Sequence, residues 1–382
     1  MARLLERGPE DRSHASSTDD TDLEAGRALI RGSHDVHAIA AGAELGDGRH
    51  LAGRQVPPPR AIAATVSVVG GITWREAWQR ALYGANGFYR APTGPAGHFT
   101  TATHGPLGPV LAGGLLQLAA DEGCRQIVDI GCGRGELLSR VRRLDSRIAL
   151  TGVDVVERPA HLAADIGWMS SPGGQALPAG LAHLEGALVV AHEWLDVVPC
   201  SITEVDDAGQ LRLVMVEPAT GEETLGERVS EEEAEWAAHH WPGAEPGARV
   251  EIGLARDQAW AGLLERVRGG VAVAIDYGHR GGERPREGTL TAYREGSVVA
   301  PVPDGSCDLT AHVAMDSLDH DELVDQRTAL RGLGVHAGTP PLELASTRPQ
   351  AYLEALSYSS AAASLTARGG FGDFWWALKR VG

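Results

Sequence analysis

The clearest chemical signal in this sequence is a loop in which glycine occupies alternate positions, DIGCGRG over residues 129–135. Gly131, Gly133 and Gly135 would let the chain turn tightly from a strand into a helix, and would let a ligand lie against bare backbone. Asp154 ends the next predicted strand, where a carboxylate can accept hydrogen bonds from both hydroxyls of a ribose. The loop and this acid together predict a site for a nucleoside-containing cofactor.

The spacing of the glycines narrows the kind of cofactor. A dinucleotide fingerprint reads GxGxxG, whereas this loop reads GxGxG and has Glu136 where the third glycine would stand. The loop also lacks the Lys-Ser/Thr pair of a P-loop, which argues against nucleoside triphosphate hydrolysis. The alternative is a tight structural turn in an unrelated α/β protein. The predicted strand before the loop, the predicted helix after it and Asp154 favour the cofactor site.

Acidic and aromatic residues follow two other apolar runs and could act on a substrate. Glu193 and Asp196 come after one run, and Tyr277 and His279 come after the other. Carboxylates can bind a guanidinium bidentately and localise its charge, and a His or Tyr can remove a proton. Because doubly wound sheets bind ligands at the carboxyl edge of their strands, we predict that Glu193 and Asp196 contact the substrate. The alternatives are that Asp196 caps a following helix and that residues 276–279 form a hydrogen-bonded turn.

Histidines and acids elsewhere could form pairs or hold a metal. Asp308 and His312 are four residues apart, a spacing that fits either a hydrogen-bonded pair or a structural Asx turn. His192, His279 and His312 lie near acids, but their spacing matches no HExxH or comparable motif. We therefore predict no metal site.

Two kinds of periodicity indicate the elements that must position these residues. Short β-branched runs predict buried strands, and apolar residues on one face predict helices. Strands that alternate with helices predict an α/β fold with a doubly wound, mostly parallel sheet. The predicted strands cover residues 126–130, 148–153, 187–191 and 271–275, and the predicted helices include 110–120, 256–268 and the segment after the glycine loop, where Leu137, Leu138, Val141 and Leu144 mark one face.

Capping and turn signals add local detail. Thr73 followed by Glu76, and Ser230 followed by Glu233, have the spacing of capping boxes that open helices. A DDAG turn separates two short apolar segments, which predicts a hairpin over residues 201–216. We therefore expect helical and hairpin insertions in the α/β domain.

Several short motifs along residues 72–382 also occur in the order typical of one protein family. The segments are LYG at 82–84, GFY at 87–89, GHFTT at 97–101, IGCGRG at 130–135, AHEWLDVVP at 191–199, DYGH at 276–279, GTL at 288–290 and DLTAHV at 308–313. Each segment is weak alone, but their shared order is specific. The sequence resembles the MidA family of class I S-adenosylmethionine-dependent methyltransferases, which includes the mitochondrial complex I assembly factor that methylates protein arginine.

The resemblance implies a Rossmann-like class I methyltransferase fold, S-adenosylmethionine as the cofactor and methyl transfer to an ω-nitrogen of a protein arginine. Taking the motifs together with the residue chemistry above, we predict two sets of site residues. The cofactor-binding set is Asp129, Gly131, Gly133, Gly135, Asp154, Thr101 and His192. The catalytic set is Glu193, Asp196, His279 and His312.

The sequence departs from the family's pattern at a few positions that border the expected cofactor and substrate region. His98 and Ala314 replace acids, Trp194 replaces a Phe, and residues 102–104 read ATH where the pattern has SPE. These departures leave the methyl acceptor open. The alternatives to an arginine methyltransferase are a small-molecule N- or O-methyltransferase and a non-catalytic, S-adenosylmethionine-binding assembly factor.

Composition restricts the partners and the compartment. The 382 residues include 51 acids and 34 Lys or Arg, a formal net charge of −17, which disfavours nucleic-acid binding and suits a basic or Arg-bearing protein partner. The acidic run over residues 222–235 is more often a solvated helix face than a docking site. The four cysteines form no CxxC pair, and no apolar stretch is long enough to span a bilayer. We expect a cytoplasmic protein with no signal peptide and no membrane partner.

Changes in pattern along the chain set the domain organisation that we expect. Residues 1–60 lack sustained periodicity and predict a disordered tail. Residues 61–382 predict one methyltransferase domain, with an N-terminal helical cap at 72–122 and an insertion at about 201–250. Trp375 and Trp376 near the end of the sequence predict either a core contact or a subunit contact, the latter in a homodimer.

Overall fold

The computed structural model of the protein describes residues 71–91 and 101–382. The predicted tail over residues 1–60, the predicted domain boundary at residue 61 and the His98 position of the GHFTT motif lie outside the described residues. The elements below are therefore those of the two described ranges.

The helices and strands alternate along most of this part of the chain. The helices are α1 Trp74–Tyr83, α2 Leu107–Asp121, α3 Glu136–Leu144, α4 Glu231–His240, α5 Leu254–Leu264, α6 Gln326–Gly332, α7 Leu342–Thr347 and α8 Pro349–Leu365. None of these helices is both long and apolar enough to cross a membrane.

The strands belong to two larger sheets and two small ones. They are β1 Ile72–Thr73, β2 Gln126–Ile130, β3 Ala149–Asp154, β4 Gly167–Ser170, β5 Leu184–His192, β6 Ser201–Val205, β7 Leu211–Val216, β8 Glu223–Arg228, β9 Arg249–Ile252, β10 Val267–Asp276, β11 Gly278–His279, β12 Thr291–Arg294, β13 Ser297–Val299, β14 Asp308–Thr310, β15 Val313–Ala314, β16 Glu322–Asp325 and β17 Trp375–Val381.

The central sheet has seven strands in the order β16-β17-β10-β5-β2-β3-β4. Strands β10, β5, β2, β3 and β4 run parallel to their neighbours, and β17 joins β10 and β16 antiparallel. The chain builds outward from β2 through β3 and β4, then crosses back to β5 and β10. The strand order therefore reverses between β2 and β5, which is where sheets of this kind leave a crevice for ligands. The predicted doubly wound, mostly parallel sheet is confirmed.

Both faces of the central sheet are buried, as the short apolar strands require. Successive residues of β2 enter different hydrophobic clusters: Ile127 packs with α2, α3 and α8 on one face, and Val128 packs with α5 on the other. The same alternation holds along β5 and β10. Trp376 of β17 is fully buried in the first cluster, so it makes the core contact that was one of the two predictions for it.

Strands β6 to β9, which lie between β5 and β10 in the chain, form a second, antiparallel sheet together with β1. Its order is β1-β7-β6-β9, with β8 also paired to β7. The predicted hairpin is confirmed as β6 and β7. Helix α1 packs Trp74 and Trp78 onto this sheet, whereas α2 packs on the central sheet. Among the described residues of the range 72–122, which we expected to form one helical cap, α1 therefore packs on the second sheet and α2 on the central sheet.

The two capping motifs in the sequence located the starts of two helices correctly. The Thr73 side chain accepts a hydrogen bond from the backbone N–H of Glu76 and caps α1, and Ser230 and Glu233 form the reciprocal capping box of α4. Leu144 was predicted on the buried face of α3, but it is the last residue of that helix and its side chain is 53% exposed. That prediction was wrong because the buried residues of α3 are Leu137, Leu138 and Val141, in the turns before Leu144.

The helix predicted over 256–268 ends earlier, at Leu264, and β10 begins at Val267 rather than at 271. Val267 is buried beside Leu184 of β5, and the pairing then shifts at Gly269 and Gly270. Gly270 has a φ of 122°, a conformation that is strained for a residue with a side chain. Glycine at this position therefore allows the irregular pairing at the start of β10.

Candidate active site

A cavity of about 160 Å³ opens at the carboxyl ends of β2, β3 and β5, where the strand order reverses. Helix α1, the loop before α2 and strand β14 complete its wall. The predicted site residues that line it are Thr101, Asp129, Gly131, Gly133, Asp154, His192, Glu193 and Asp196. The fold thus brings the predicted cofactor loop and the predicted substrate carboxylates into one space.

The glycine loop runs from β2 into α3 with left-handed backbone. Gly131 and Gly133 have φ values of 69° and 58°. A Cβ atom on Gly133 would lie 3.1 Å from Oε2 of Glu136, so the loop stays open only with glycine. Gly135 does not line the cavity; it precedes α3, and a Cβ atom there would lie 2.8 Å from Cδ1 of Leu162. Glycine is therefore required at residue 135 for steric reasons, and the cavity lining does not support the predicted cofactor contact of Gly135.

Asp154 ties the loop to β3. Its Oδ2 accepts the backbone N–H of Gly133 at 2.8 Å, and its Oδ1 accepts that of Val156 at 3.1 Å. Burial raises the pKa of Asp154 to about 6, although these N–H donors oppose the shift. Each carboxylate oxygen has a second lone pair, so both can also accept a ribose hydroxyl. The open glycine backbone and this acid fit the nucleoside part of a cofactor.

Glu193 follows β5 in a conformation that is unusual for a side-chain-bearing residue. Its φ is 51°, and its backbone N–H donates to the carbonyl of Ile275 at 2.9 Å. Its Oε1 lies 3.4 Å from Nδ1 of His192 and has no hydrogen-bond partner among the described residues. Burial, and then the neighbouring Asp196 and Asp308, raise the pKa of Glu193 well above its usual value. Burial lowers the pKa of His192 to about 4, so its ring is neutral.

Asp196 is held by hydroxyls rather than by a helix. Its Oδ2 accepts hydrogen bonds from the hydroxyl groups of Tyr277 and Thr310, the latter at 2.8 Å. Asp276 accepts the backbone N–H groups of Leu195 and Asp196 at 3.1 and 3.2 Å, which fixes the turn. The turn at Asp196 leads into strand β6 at Ser201 and not into a helix, so the helix-cap alternative was wrong. Burial raises the pKa of Asp196 although Tyr277 and Thr310 oppose this.

Asp308 adds a third carboxylate to the same wall, and the sequence did not single it out as a site residue. Its Oδ1 accepts a hydrogen bond from the hydroxyl of Tyr89 at 2.7 Å. Burial raises the pKa of Asp308 to about 8. Tyr83 also lines the cavity and donates to the carbonyl of Val197 at 3.0 Å. The motif segments at 82–84, 87–89 and 308–313 carry these residues and were the signal that could have identified them.

His279 and His312, which we predicted to be catalytic, lie outside the cavity. Nδ1 of His279 lies 2.6 Å from Nη1 of Arg284, and its ring meets the Trp241 ring edge-on at 5.0 Å. The ring of His312 contacts Tyr277 edge-on at 5.3 Å. Neither ring is part of the cavity lining, so the geometry does not support a direct catalytic role for either histidine. No cluster of three potential metal ligands occurs within residues 71–91 and 101–382.

Comparisons with known proteins agree with this geometry. Residues 111–332 match the model of a family described as S-adenosyl-L-methionine-dependent methyltransferases. No curated protein matches the chain. A crystal structure of a candidate methyl transferase from Burkholderia thailandensis, bound to S-adenosyl-homocysteine, is 22% identical, with a TM-score of 0.62 over 81% of this chain and 88% of that one.

A second Burkholderia thailandensis structure, of an uncharacterised protein, is 23% identical and has the same TM-score and coverage. At these identities the likeness concerns the fold, and it supports the Rossmann-like methyltransferase architecture. The family match covers more than half of the chain and includes the glycine loop, Asp154 and both carboxylates after β5. The chain therefore belongs to the S-adenosylmethionine-dependent methyltransferase family, and S-adenosylmethionine is its cofactor.

Proposed function

We propose that this protein transfers a methyl group from S-adenosylmethionine to an ω-nitrogen of a protein arginine. The observation that carries the proposal is the convergence of three carboxyl groups, those of Glu193, Asp196 and Asp308, on the wall of the cofactor cavity. Carboxylates bind the planar fork of a guanidinium through paired hydrogen bonds, which a neutral acceptor would not require.

The burial and the proximity of these carboxyl groups favour the binding of a positively charged substrate group. Burial is the main cause that raises the pKa of Glu193, Asp196 and Asp308, and repulsion from the neighbouring carboxylates adds to it for Glu193 and Asp308. Three like charges in a buried space are costly unless a positive charge joins them. A guanidinium that enters the cavity would lower the pKa of these carboxyl groups. They would then be ionised, which is the state in which they can bind the guanidinium and accept a proton.

The chemistry needs alignment and one proton acceptor. When bound, S-adenosylmethionine supplies an electrophilic methyl group on a sulfonium. The guanidinium nitrogen gains the methyl carbon and loses one N–H proton, and the carbon–sulfur bond breaks. Glu193 would accept that proton, because its Oε1 has no hydrogen-bond partner among the described residues. Asp196 and Asp308 would orient the guanidinium, held in turn by Thr310, Tyr277 and Tyr89.

The charge of the chain and its family resemblance support a protein acceptor. A net charge of −17 favours association with a basic partner. The motifs that resemble the MidA family, which includes a protein arginine methyltransferase, carry Tyr83, Tyr89, Glu193, Asp196 and Asp308. The residues of the proposed guanidinium site thus lie within the motifs that resemble those of the MidA family.

The test is incubation of the full-length protein with methyl-labelled S-adenosylmethionine and a lysate from a strain that lacks it. We expect a labelled protein band whose modified residue, located by mass spectrometry, is an arginine. Glu193→Gln should abolish the label. Glu185→Gln, an exposed carboxylate at the opposite end of β5, should leave it unchanged.

Other results would redirect or refute the proposal. Label found only in small molecules would favour the small-molecule methyltransferase. Cofactor binding without any labelled product would favour the non-catalytic assembly factor. Label on a protein residue other than arginine would contradict the assignment of the guanidinium site.

A further inference from the structure

His104 places a hydrogen-bond donor inside the cofactor cavity. The backbone N–H of Thr101 donates to Nδ1 of His104 at 3.1 Å. A backbone N–H can only donate, so Nδ1 carries no proton and the proton of the ring is on Nε2. Nε2 is buried, has no hydrogen-bond partner among the described residues and belongs to a side chain that lines the cavity.

Glu136 places an acceptor beside this donor. It is the first residue of α3, and its Oε2 accepts the backbone N–H of Arg134 at 2.8 Å. Its Oε1 lies 3.8 Å from Nε2 of His104, which is too long for a hydrogen bond. Burial raises the pKa of Glu136, but contacts with His104 and with backbone N–H groups outweigh this and leave the pKa below its usual value. Glu136 is therefore an anion at neutral pH.

The two side chains suit a ligand that carries a cationic group and an anionic group on one carbon atom. Glu136 can hold a cationic group, and the Nε2–H of His104 can donate to an anionic one. In an α-amino acid the ammonium and the carboxylate are bonded to the same carbon, so their recognition groups must be neighbours. Both side chains line the cavity, and Glu136 borders Gly133, whose backbone N–H donates to Asp154.

We propose that His104 and Glu136 form the subsite for the amino-acid end of the cofactor, with His104 donating to its carboxylate and Glu136 accepting from its ammonium. This inference rests on the cofactor site and not on the arginine acceptor, so failure of the arginine assay leaves it unaffected. It makes His104 and Glu136 cofactor-binding residues in addition to the set that the sequence predicted.

The test is isothermal titration calorimetry with three ligands that carry different parts of the amino acid, and each variant is compared with the unchanged protein for the same ligand. S-adenosyl-homocysteine carries both charged groups, decarboxylated S-adenosyl-methionine lacks the carboxylate, and 5′-methylthioadenosine lacks the whole amino acid. The variants are His104→Ala, His104→Gln, whose amide nitrogen can replace Nε2 as a donor, and Glu136→Gln. The matched control is His161→Ala, an exposed histidine that lines a neighbouring surface cavity.

We expect His104→Ala to weaken S-adenosyl-homocysteine binding by about tenfold to a hundredfold, the loss of one hydrogen bond to a charged group. His104→Gln should recover part of this affinity. His104→Ala should leave decarboxylated S-adenosyl-methionine binding unchanged, whereas Glu136→Gln should weaken it. All variants should bind 5′-methylthioadenosine as the unchanged protein does, which also shows that they fold.

Two outcomes would overturn the inference. One is an equal loss of S-adenosyl-homocysteine and 5′-methylthioadenosine binding in His104→Ala, since that would indicate a general role in shaping the cavity. The other is unchanged S-adenosyl-homocysteine binding in both His104→Ala and Glu136→Gln. If the unchanged protein bound none of the three ligands, the proposed function would fall together with this inference.

Discussion

Nη2 of Arg256 donates a hydrogen bond to the backbone carbonyl of Asp196 at 2.8 Å, beneath the substrate end of the cavity. The same guanidinium donates to the carbonyl of Val198 at 3.1 Å and to that of His312 at 2.7 Å. Arg256 is 1% exposed. A single buried cation therefore ties the turn after β5, which carries Asp196, to the loop after β14, the strand that carries Asp308.

Arg256 should be essential for stability although it does not line the cavity. Arg256→Met would leave the carbonyls of Asp196, Val198 and His312 without their donor, and we expect the free energy of unfolding to fall by about 3 kcal/mol or more. Arg256→Lys should recover a small part, because one ammonium cannot reach three divergent carbonyls as a guanidinium does. Urea unfolding measures the change, with the exposed Arg143→Met as control. If Arg256→Met lowered the free energy of unfolding no more than Arg143→Met does, the three hydrogen bonds of Arg256 would not stabilise the fold.

The cofactor end of the site could be predicted largely from sequence. The β-branched run at 126–130 has the same bounds as β2, because polar residues and a glycine flank it closely. Parallel strands bring their carboxyl ends to one edge, so Gly133, Asp154 and Glu193 could be placed together without knowledge of any contact. That general property of sheets does not depend on side-chain orientation.

The substrate end could be predicted only in part, because it depends on where side chains point. His279 does end a strand near that edge, but Arg284 and Trp241 hold its ring away from the cavity. For Asp308 the sequence suggested only local alternatives, a pair with His312 or an Asx turn, whereas the structure gives it a hydrogen bond from Tyr89, which is 219 residues away. Spacing along a chain locates the end of a strand and gives no information about such distant partners.

The hydrogen bond between Asp154 and Gly133 should be required for cofactor binding. In Asp154→Asn the amide nitrogen would face either the N–H of Gly133 or that of Val156, so two donors would oppose each other. We expect the affinity for S-adenosyl-homocysteine to fall by about tenfold or more. Calorimetry measures this, with the exposed Asp207→Asn as control. Equal affinity in the two variants would contradict the role of Asp154.

Asp308 should make stability depend on pH. Its pKa is about 8 in the folded protein, against about 3.9 in an unfolded chain. Between these values the folded state holds a proton that the unfolded state has lost, so the contribution of Asp308 to stability falls as the pH rises from about 4 to about 8. Asp308→Asn keeps an acceptor for Tyr89 and removes this titration.

We therefore expect Asp308→Asn to gain stability relative to the unchanged protein as the pH rises from 5 to 8, by about 1 kcal/mol or more. Urea unfolding at the two pH values measures the difference. The control Asp207→Asn, in an exposed turn, should show no such dependence. A constant difference between Asp308→Asn and the unchanged protein would argue against a buried, protonated Asp308.

Glu193 should show a conflict between stability and activity. A residue other than glycine costs about 1–2 kcal/mol in the left-handed region, and Glu193 sits there with a φ of 51°. Glu193→Gly and Glu193→Ala both remove the carboxyl group, so they differ mainly in this backbone cost. Glycine relieves the backbone cost but loses more conformational entropy on folding, so the net difference is smaller than the backbone cost alone. We expect the free energy of unfolding of Glu193→Gly, measured in urea, to exceed that of Glu193→Ala by about 1 kcal/mol.

Both variants should bind S-adenosyl-homocysteine and label no protein. If the alanine variant were equally stable, the backbone at residue 193 would not be strained; if either variant remained active, Glu193 would not be the base.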